Sequence, residues 1–233
     1  MKLPAEVPVM TLPNATLFPQ ALLPLYIFEP RYRRMLADVL KTHRMFSVAM
    51  QKPGVQRESP LAVAGLGLVR VAVDHDDGTS HLILQGIARV ALTDTVRQRP
   101  YRIQRIQPIE TPVEDEARVE VLLIQLRKLL AERVKLGLPF PFPVLTKGEP
   151  AGPPPGISPK DVLHYLDSLV DPEQVTDLVS CAVLPGALER QAILATPSLE
   201  ARLRHLIHFL LGELRRHREK KQSKKKPRDN PNP

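Results

Sequence analysis

Several groups of side chains in this 233-residue sequence have the types and spacing for chemistry. His205 and His208 stand three apart on a predicted helix, a spacing that can turn two imidazoles toward one ion, with Glu213 more than a turn beyond. His75 and His81 bracket Asp76 and Asp77 at a predicted hairpin turn and could gather an ion across two strands. Glu114, Asp115 and Glu116 are adjacent carboxylates of the kind used for acid and base work. Each has a plainer use. The histidines on the helix flank a leucine-rich stripe and lack a thiol or carboxylate at matching spacing. Those at the hairpin read as solvated turn residues. The three carboxylates precede a helix, where the macrodipole favours negative charge. Ser158 and Lys160 are close in sequence, but Ser158 precedes a proline that opens a helix and reads as its cap. Cys181, the single cysteine, falls on the apolar side of a helix and reads as a buried structural thiol in a reducing compartment.

Two catalytic frameworks are absent from the sequence. No glycine is followed by lysine, so there is no phosphate-cradling Walker loop, and no Gly-x-Ser-x-Gly elbow exposes a serine. Catalytic, metal-binding and cofactor-binding residues are therefore not expected. The binding candidates are Arg31 and Tyr32, which with Arg33 and Arg34 could grip an anion or lie on a solvated helix face. Phe140 and Phe142 are two more, alternating with Pro139, Pro141 and Pro143 as either an apolar finger or a loop tucked against the body.

Charge supplies a third candidate. Of a net +8, residues 215–233 hold nine Lys/Arg against Glu219 and Asp229, or +7, which leaves +1 on the other 214 residues. Lys220, Lys221, Lys224, Lys225, Lys226 and Arg228 could hold phosphate backbone or an acidic partner, and the segment reads as a disordered tail. A broad nucleic-acid face on the body is not required. No stretch has the length or apolarity of a signal peptide or a membrane span, so a cytoplasmic location without membrane contact is expected.

The elements that must position these residues divide in two. Residues 1–110 read as β-rich, with strands at 7–12, 22–27, 45–50, 63–73, 80–86, 88–96 and 101–107 and one helix near 30–42. Pro30 suits that helix's first turn, with Tyr32, Met35, Leu36, Val39 and Leu40 on one face. Asp77-Gly78 marks a hairpin turn, and Gly65, Gly67 and Gly86 mark bends where the sheet curls toward a barrel. Residues 111–214 read as helical, with one long helix ending at Gly137, a proline-rich loop over 138–159, helices opening at Ser158-Pro159 and Asp171-Pro172, a short one at 187–195 and a last one from Ser198.

The opening order Leu-Pro, Leu-Phe-Pro (17–19) and Leu-Pro-Leu-Tyr-Ile-Phe-Glu-Pro-Arg-Tyr (23–32) resembles the start of the Lon amino-terminal domain, the substrate-recognition module of Lon proteases. GLGLVRV, the Asp-Gly hairpin, LILQGIARVAL with Gly86 and Arg89, and the helices DPEQVTDLVSCAVL and RQAILATPSLEARLRHLIHFL are similar to the family's later segments. The resemblance runs through most of residues 7–214 and implies an α+β fold, a β-barrel-like, PUA-related subdomain followed by an α-helical bundle. It also implies a non-catalytic module, since the chain ends before the family's ATPase and Ser-Lys protease modules could begin. The expected ligand is unfolded or apolar polypeptide, or a partner protein, held in a groove between the two halves and along a sheet edge. PUA-like RNA binding assisted by the tail is the alternative. In the opening signature, Leu25, Ile27 and Phe28 are expected in the core.

Overall fold

Strand β3 (Met45–Met50) is buried along its whole length, so both of its faces are covered and it lacks the alternation of a half-exposed strand. Phe46 and Val48 face a core shared with helix α1 (Pro30–Leu40), whereas Met45 and Ala49 face a second core with Val7, Leu66 and Val90. The computed structural model describes residues 2–112, 115–138, 140 and 158–225. Its first half holds β1 (Glu6–Leu12), β2 (Leu22–Ile27), α1, β3, β4 (Val63–Asp74), β5 (Ser80–Arg97) and β6 (Ile103–Pro108). The second holds α2 (Glu116–Lys135), α3 (Pro159–Ser168), α4 (Pro172–Val183), α5 (Ala187–Leu194) and α6 (Leu199–Lys225). This is the α+β order read from the sequence.

The sheet runs β2-β5-β4-β3-β1-β6, with β6 also pairing β5. Five strands thus close on themselves and β2 is left outside the ring. β5 makes this possible by changing partner along its length. Residues 80–85 pair β2, whereas 90–97 pair β6, and β4 accompanies both parts. The two expected strands at 80–86 and 88–96 are therefore one. Gly86 bends the strand without breaking it, at a register shift opposite Gly67.

The glycines at the bend are required by a close approach. A Cβ on Gly65 would stand 1.9 Å from the Leu17 carbonyl oxygen, and one on Gly86 1.9 Å from that of Phe18. The segment before β2 crosses the sheet over these two positions and is pinned by Gln20 N–H to Gly86 O and Gly86 N–H to Ala21 O, each 2.9 Å. Leu17 then enters the core beneath α1, and Phe18 enters the core of the helical half.

The helices begin where the sequence supplies caps. Asp115 accepts from the Ala117 N–H at 3.1 Å, Ser158 and Asp161 form a reciprocal capping box before Pro159, and Asp171 accepts from the Glu173 N–H at 2.9 Å. Gly137, at φ +73°, ends α2 with its N–H on Val134 O while the Leu138 N–H reaches Arg133 O. The end of α6 differs from expectation: residues 215–225, read as part of a disordered tail, continue the helix. Arg, Lys, Glu and Gln are good helix formers, the preceding leucine stripe supplies the nucleus, and Arg215 pairs Glu219 one turn on at 3.0 Å.

The halves are joined by buried charge. Arg89 of β5 and Arg202 of α6 both donate to Asp177 Oδ1 of α4, Arg202 at 3.0 Å, and both reach Glu173 Oε1 at 3.0 Å. Thr111, in the link between halves, donates to that Glu173 oxygen at 2.6 Å. Burial pushes the Asp177 carboxyl up and the Arg89 guanidinium down, each against the pull of its partner. Beside them Arg190 of α5 donates to Leu184 O at 2.7 Å and Thr16 Oγ1 at 3.3 Å, and Gln191 donates to Val63 O at 2.8 Å.

Two substitutions test this construction. Gly86→Ala forces a methyl group into the Phe18 carbonyl and is expected to cost at least about 2 kcal/mol, read from the urea midpoint. Asp177→Ala leaves two buried guanidiniums with only the partly exposed Glu173 as a shared carboxylate and is expected to cost about 3–5 kcal/mol. By contrast, Arg34→Ala removes a pairing to Asp38 made by a side chain that is 69% exposed, and should cost at most about 0.5 kcal/mol in the same urea series.

Candidate functional site

The strand left outside the ring carries the candidate site. β2 alternates outward Leu22, Pro24 and Tyr26 with buried Leu23, Leu25 and Ile27. The ladder aligns Tyr26 with His81 and Val73 in one row and Pro24 with Ile83 and Val71 in the next. Residues in one row project from the same side of a sheet, so the outer side of β2-β5-β4 turns Leu22, Tyr26, Val71 and Val73 to solvent, with His81 and Gln85 among them. Leu22 is 61% exposed, Tyr26 45%, Phe28 57%, Val71 52% and Val73 53%. Tyr26 stacks on Phe28 with ring centres 5.8 Å apart, and His81 tilts against Tyr26 at 4.8 Å.

Backbone is available beside this face. Among the described residues β2 pairs with β5 alone, so its other edge has no strand partner. An extended segment could add main-chain hydrogen bonds along that edge and bury apolar side chains on the face. Val121 and Ile124, three apart on α2, form a smaller exposed apolar pair, but a helix satisfies its own backbone and offers no ladder there.

The residues predicted from sequence lie elsewhere. Tyr32 is a core residue beneath Thr11, whose N–H it accepts at 3.2 Å and whose carbonyl it reaches at 3.3 Å. Burial pushes its phenol up to about 12. Arg31 stacks over that ring, with its guanidinium 4.3 Å from the centre, and is held by Glu29 at 2.9 Å and by Glu58. Tyr32 is thus covered, and Arg31 already has two carboxylate partners. Arg34 pairs Asp38, and Arg33 lies against Gly78 of the hairpin. Phe140 is buried in the helical core under the Arg133 guanidinium, which donates to Glu213 at 2.8 Å and to Leu138 O at 3.3 Å. For Phe140 this is the tucked alternative. Phe142 lies outside the described residues, as do Lys226 and Arg228. Lys220 and Lys221 are exposed on α6, and Lys224 and Lys225 belong to its last turn.

The face was missed because the signature strand is apolar on both sides. Phe28, expected in the core with Leu25 and Ile27, is exposed past the end of β2. Pro24 was the available signal, since proline in a strand marks an edge. The groove expected between the halves is filled, among the described residues, by Phe18, Arg89, Asp177 and Arg202, all buried.

The histidine pairs do not assemble a metal centre. His75 Nε2 and His81 Nδ1 lie 2.7 Å apart as hydrogen-bond partners, and His205 Nε2 sits 3.3 Å from Glu189. Among the described residues no group of three or more His, Cys, Asp or Glu side chains could hold a metal ion. Nor is any described helix long and apolar enough to cross a membrane.

Comparison with known proteins places this geometry. Residues 6–212 match the family model for the ATP-dependent protease La (LON) substrate-binding domain. The chain is similar to the Lon protease of Dictyoglomus thermophilum, 23% identical over 91% of this chain and 25% of that protein. It is also similar to that of Methylocella silvestris, 28% identical over 79% of this chain and 23% of that protein. It thus spans about a quarter of the length of the curated relatives it matches. The fold is that of the N-terminal domain of the Mycobacterium avium complex Lon protease, with TM-score 0.67 and 13% identity over 88% of this chain and 97% of that one. The Lon N-terminal domain protein from Xanthomonas campestris gives 0.55 and 19% over 87% and 97%.

The one thiol is not placed for chemistry. Cys181 packs against the helical core, and burial pushes it up to about 11. On the order of a thousandth is then thiolate at pH 8, against roughly a quarter of a free thiol. In the native protein Cys181 is expected to react with a thiol reagent at least about 100-fold more slowly than after denaturation in urea. Equal rates would place the thiol at the surface.

Proposed function

Because the chain belongs to the ATP-dependent protease La (LON) substrate-binding domain family, we propose that it is a recognition module without catalysis of its own, holding extended apolar polypeptide on the outer face and open edge of β2. The observation that carries this reading is the exposure of Leu22, Tyr26, Phe28, Val71 and Val73 on one sheet face, beside a strand edge with no partner among the described residues. An extended chain alternates its side chains, so one set lies on this face while its backbone continues the ladder. Most folded proteins blunt or cover their strand edges and leave few runs of apolar side chains uncovered. Preference for unfolded polypeptide follows from that difference. One cysteine and no disulfide suit a reducing, cytoplasmic setting.

The test uses a labelled, permanently unfolded protein, with its native counterpart as competitor. Replacing Tyr26 and Phe28 together by Ser removes two half-exposed aromatic anchors and is expected to weaken binding of the unfolded protein roughly 10- to 100-fold, at about 25 cal/mol per Å² of apolar area lost from the contact. Both side chains lie on the surface, so the thermal midpoint should move little. Equal affinity for folded and unfolded protein, or an unchanged affinity in the double variant, would overturn the reading.

A further inference from the structure

The last three turns of α6 have a different character from the rest of the helix. Up to Leu214 it buries Leu203, Leu206, Ile207 and Leu210 against the helical core. Beyond Leu214 no apolar side chain follows, and Arg215, Arg216, Arg218, Lys220 and Lys221 are exposed. Residues 215–225 hold seven Lys/Arg against Glu219 alone, or +6 on one continuous helix, while the preceding 214 residues carry +1. We propose that this segment binds nucleic acid through its phosphate backbone, as a function separate from the β2 face.

Spacing supports a polyphosphate ligand. At about 1.5 Å per residue the segment is roughly 16 Å long and carries a cation about every 2.4 Å, close to the one charge per ~1.7 Å of a DNA duplex. At about 100° per residue Arg215, Arg216, Arg218, Lys220 and Lys221 are spread around the whole circumference of the helix. A rod charged all round can lie between two phosphate ridges. A membrane-surface helix instead needs an apolar face opposite its basic one, and this segment has none. The absence of aromatic residues leaves no platform for base stacking, so binding should be independent of sequence. Arg218 is tied to Glu132, which fixes the root of the rod on α2, and Arg215 pairs Glu219 within the rod itself. Arg216, Lys220 and Lys221 have no ion-pair partner among the described residues.

The experiment measures fluorescence anisotropy of a labelled duplex of about 20 base pairs with the full chain, from about 50 to 200 mM salt. The expected plot of log affinity against log salt has a slope of about −3.6 to −4.5, from four or five phosphates at about 0.9 each. Replacing Arg216, Lys220, Lys221 and Lys224 together by Gln keeps helix propensity. It should flatten the slope by up to about 3.6 and weaken low-salt binding at least about tenfold. Unchanged helicity and melting temperature would show that this variant folds, and its binding of unfolded polypeptide should equal that of the parent chain. The proposal is overturned if the variant binds the duplex with the parent's affinity and slope. It is also overturned if polyglutamate or phosphatidylserine vesicles bind the parent chain as tightly as the duplex at the same salt.

Discussion

One carboxylate oxygen, Asp177 Oδ1, accepts from both Arg89 on β5 and Arg202 on α6, and the relation between the two halves of the molecule depends on it. Two guanidiniums balance the buried Asp177 carboxylate and the Glu173 carboxylate, which is still 37% exposed, so the cluster carries no net charge. The cost of burying such groups is offset only while their geometry holds, which makes the junction intolerant of sliding. Leu17 and Phe18 reinforce this constraint from the other side. As neighbours entering different cores, they tie the barrel and the bundle to one short stretch of backbone, and Gly65 and Gly86 give that stretch room to cross the sheet.

Among the described residues the junction is filled in this way, and the uncovered apolar face beside a free strand edge lies on the outside of the barrel. The ring closes between β5 and β6, using the later half of β5, while the earlier half retains β2 as a partner. β2 is therefore an edge by topology. Exposed strand edges invite indiscriminate pairing, and proteins blunt them with short strands and prolines. β2 is six residues long and carries Pro24 near its middle. Such an edge can accept a segment held also by the aromatic pair Tyr26 and Phe28, while an arbitrary strand gains less from it. The basic end of α6 is a second, electrostatic feature on the helical half, where the leucine stripe that fastens the helix has ended.

Much of the architecture was legible in the residues. Caps at Ser158 and Asp171 and the stop at Gly137 depend on local backbone chemistry and are legible where they occur, whereas Asp115, the cap of α2, reads from the sequence only as one of three carboxylates at a helix start. Leu203, Leu206 and Leu210 marked the buried side of α6 through their spacing, and Asp77-Gly78 marked the hairpin. The site was less legible. Tyr32 and Phe140 have the composition of ligand contacts yet are buried. Leu22, Tyr26 and Phe28 belong to a stretch apolar at both parities, where period-2 reasoning cannot tell the covered side from the open one.

By itself the sequence determined the family, the division into a β-rich and a helical half, the helix limits set by caps, and the concentration of positive charge after Leu214. These are local or additive properties, carried by neighbours in the chain. Only the tertiary structure decided that β5 is one strand serving two partners, that Arg89 and Asp177 meet across 88 positions, and that β2 stands outside the ring with its aromatic side uncovered. Each depends on which distant segment covers a surface, and an apolar residue has the same composition whether or not anything is packed against it.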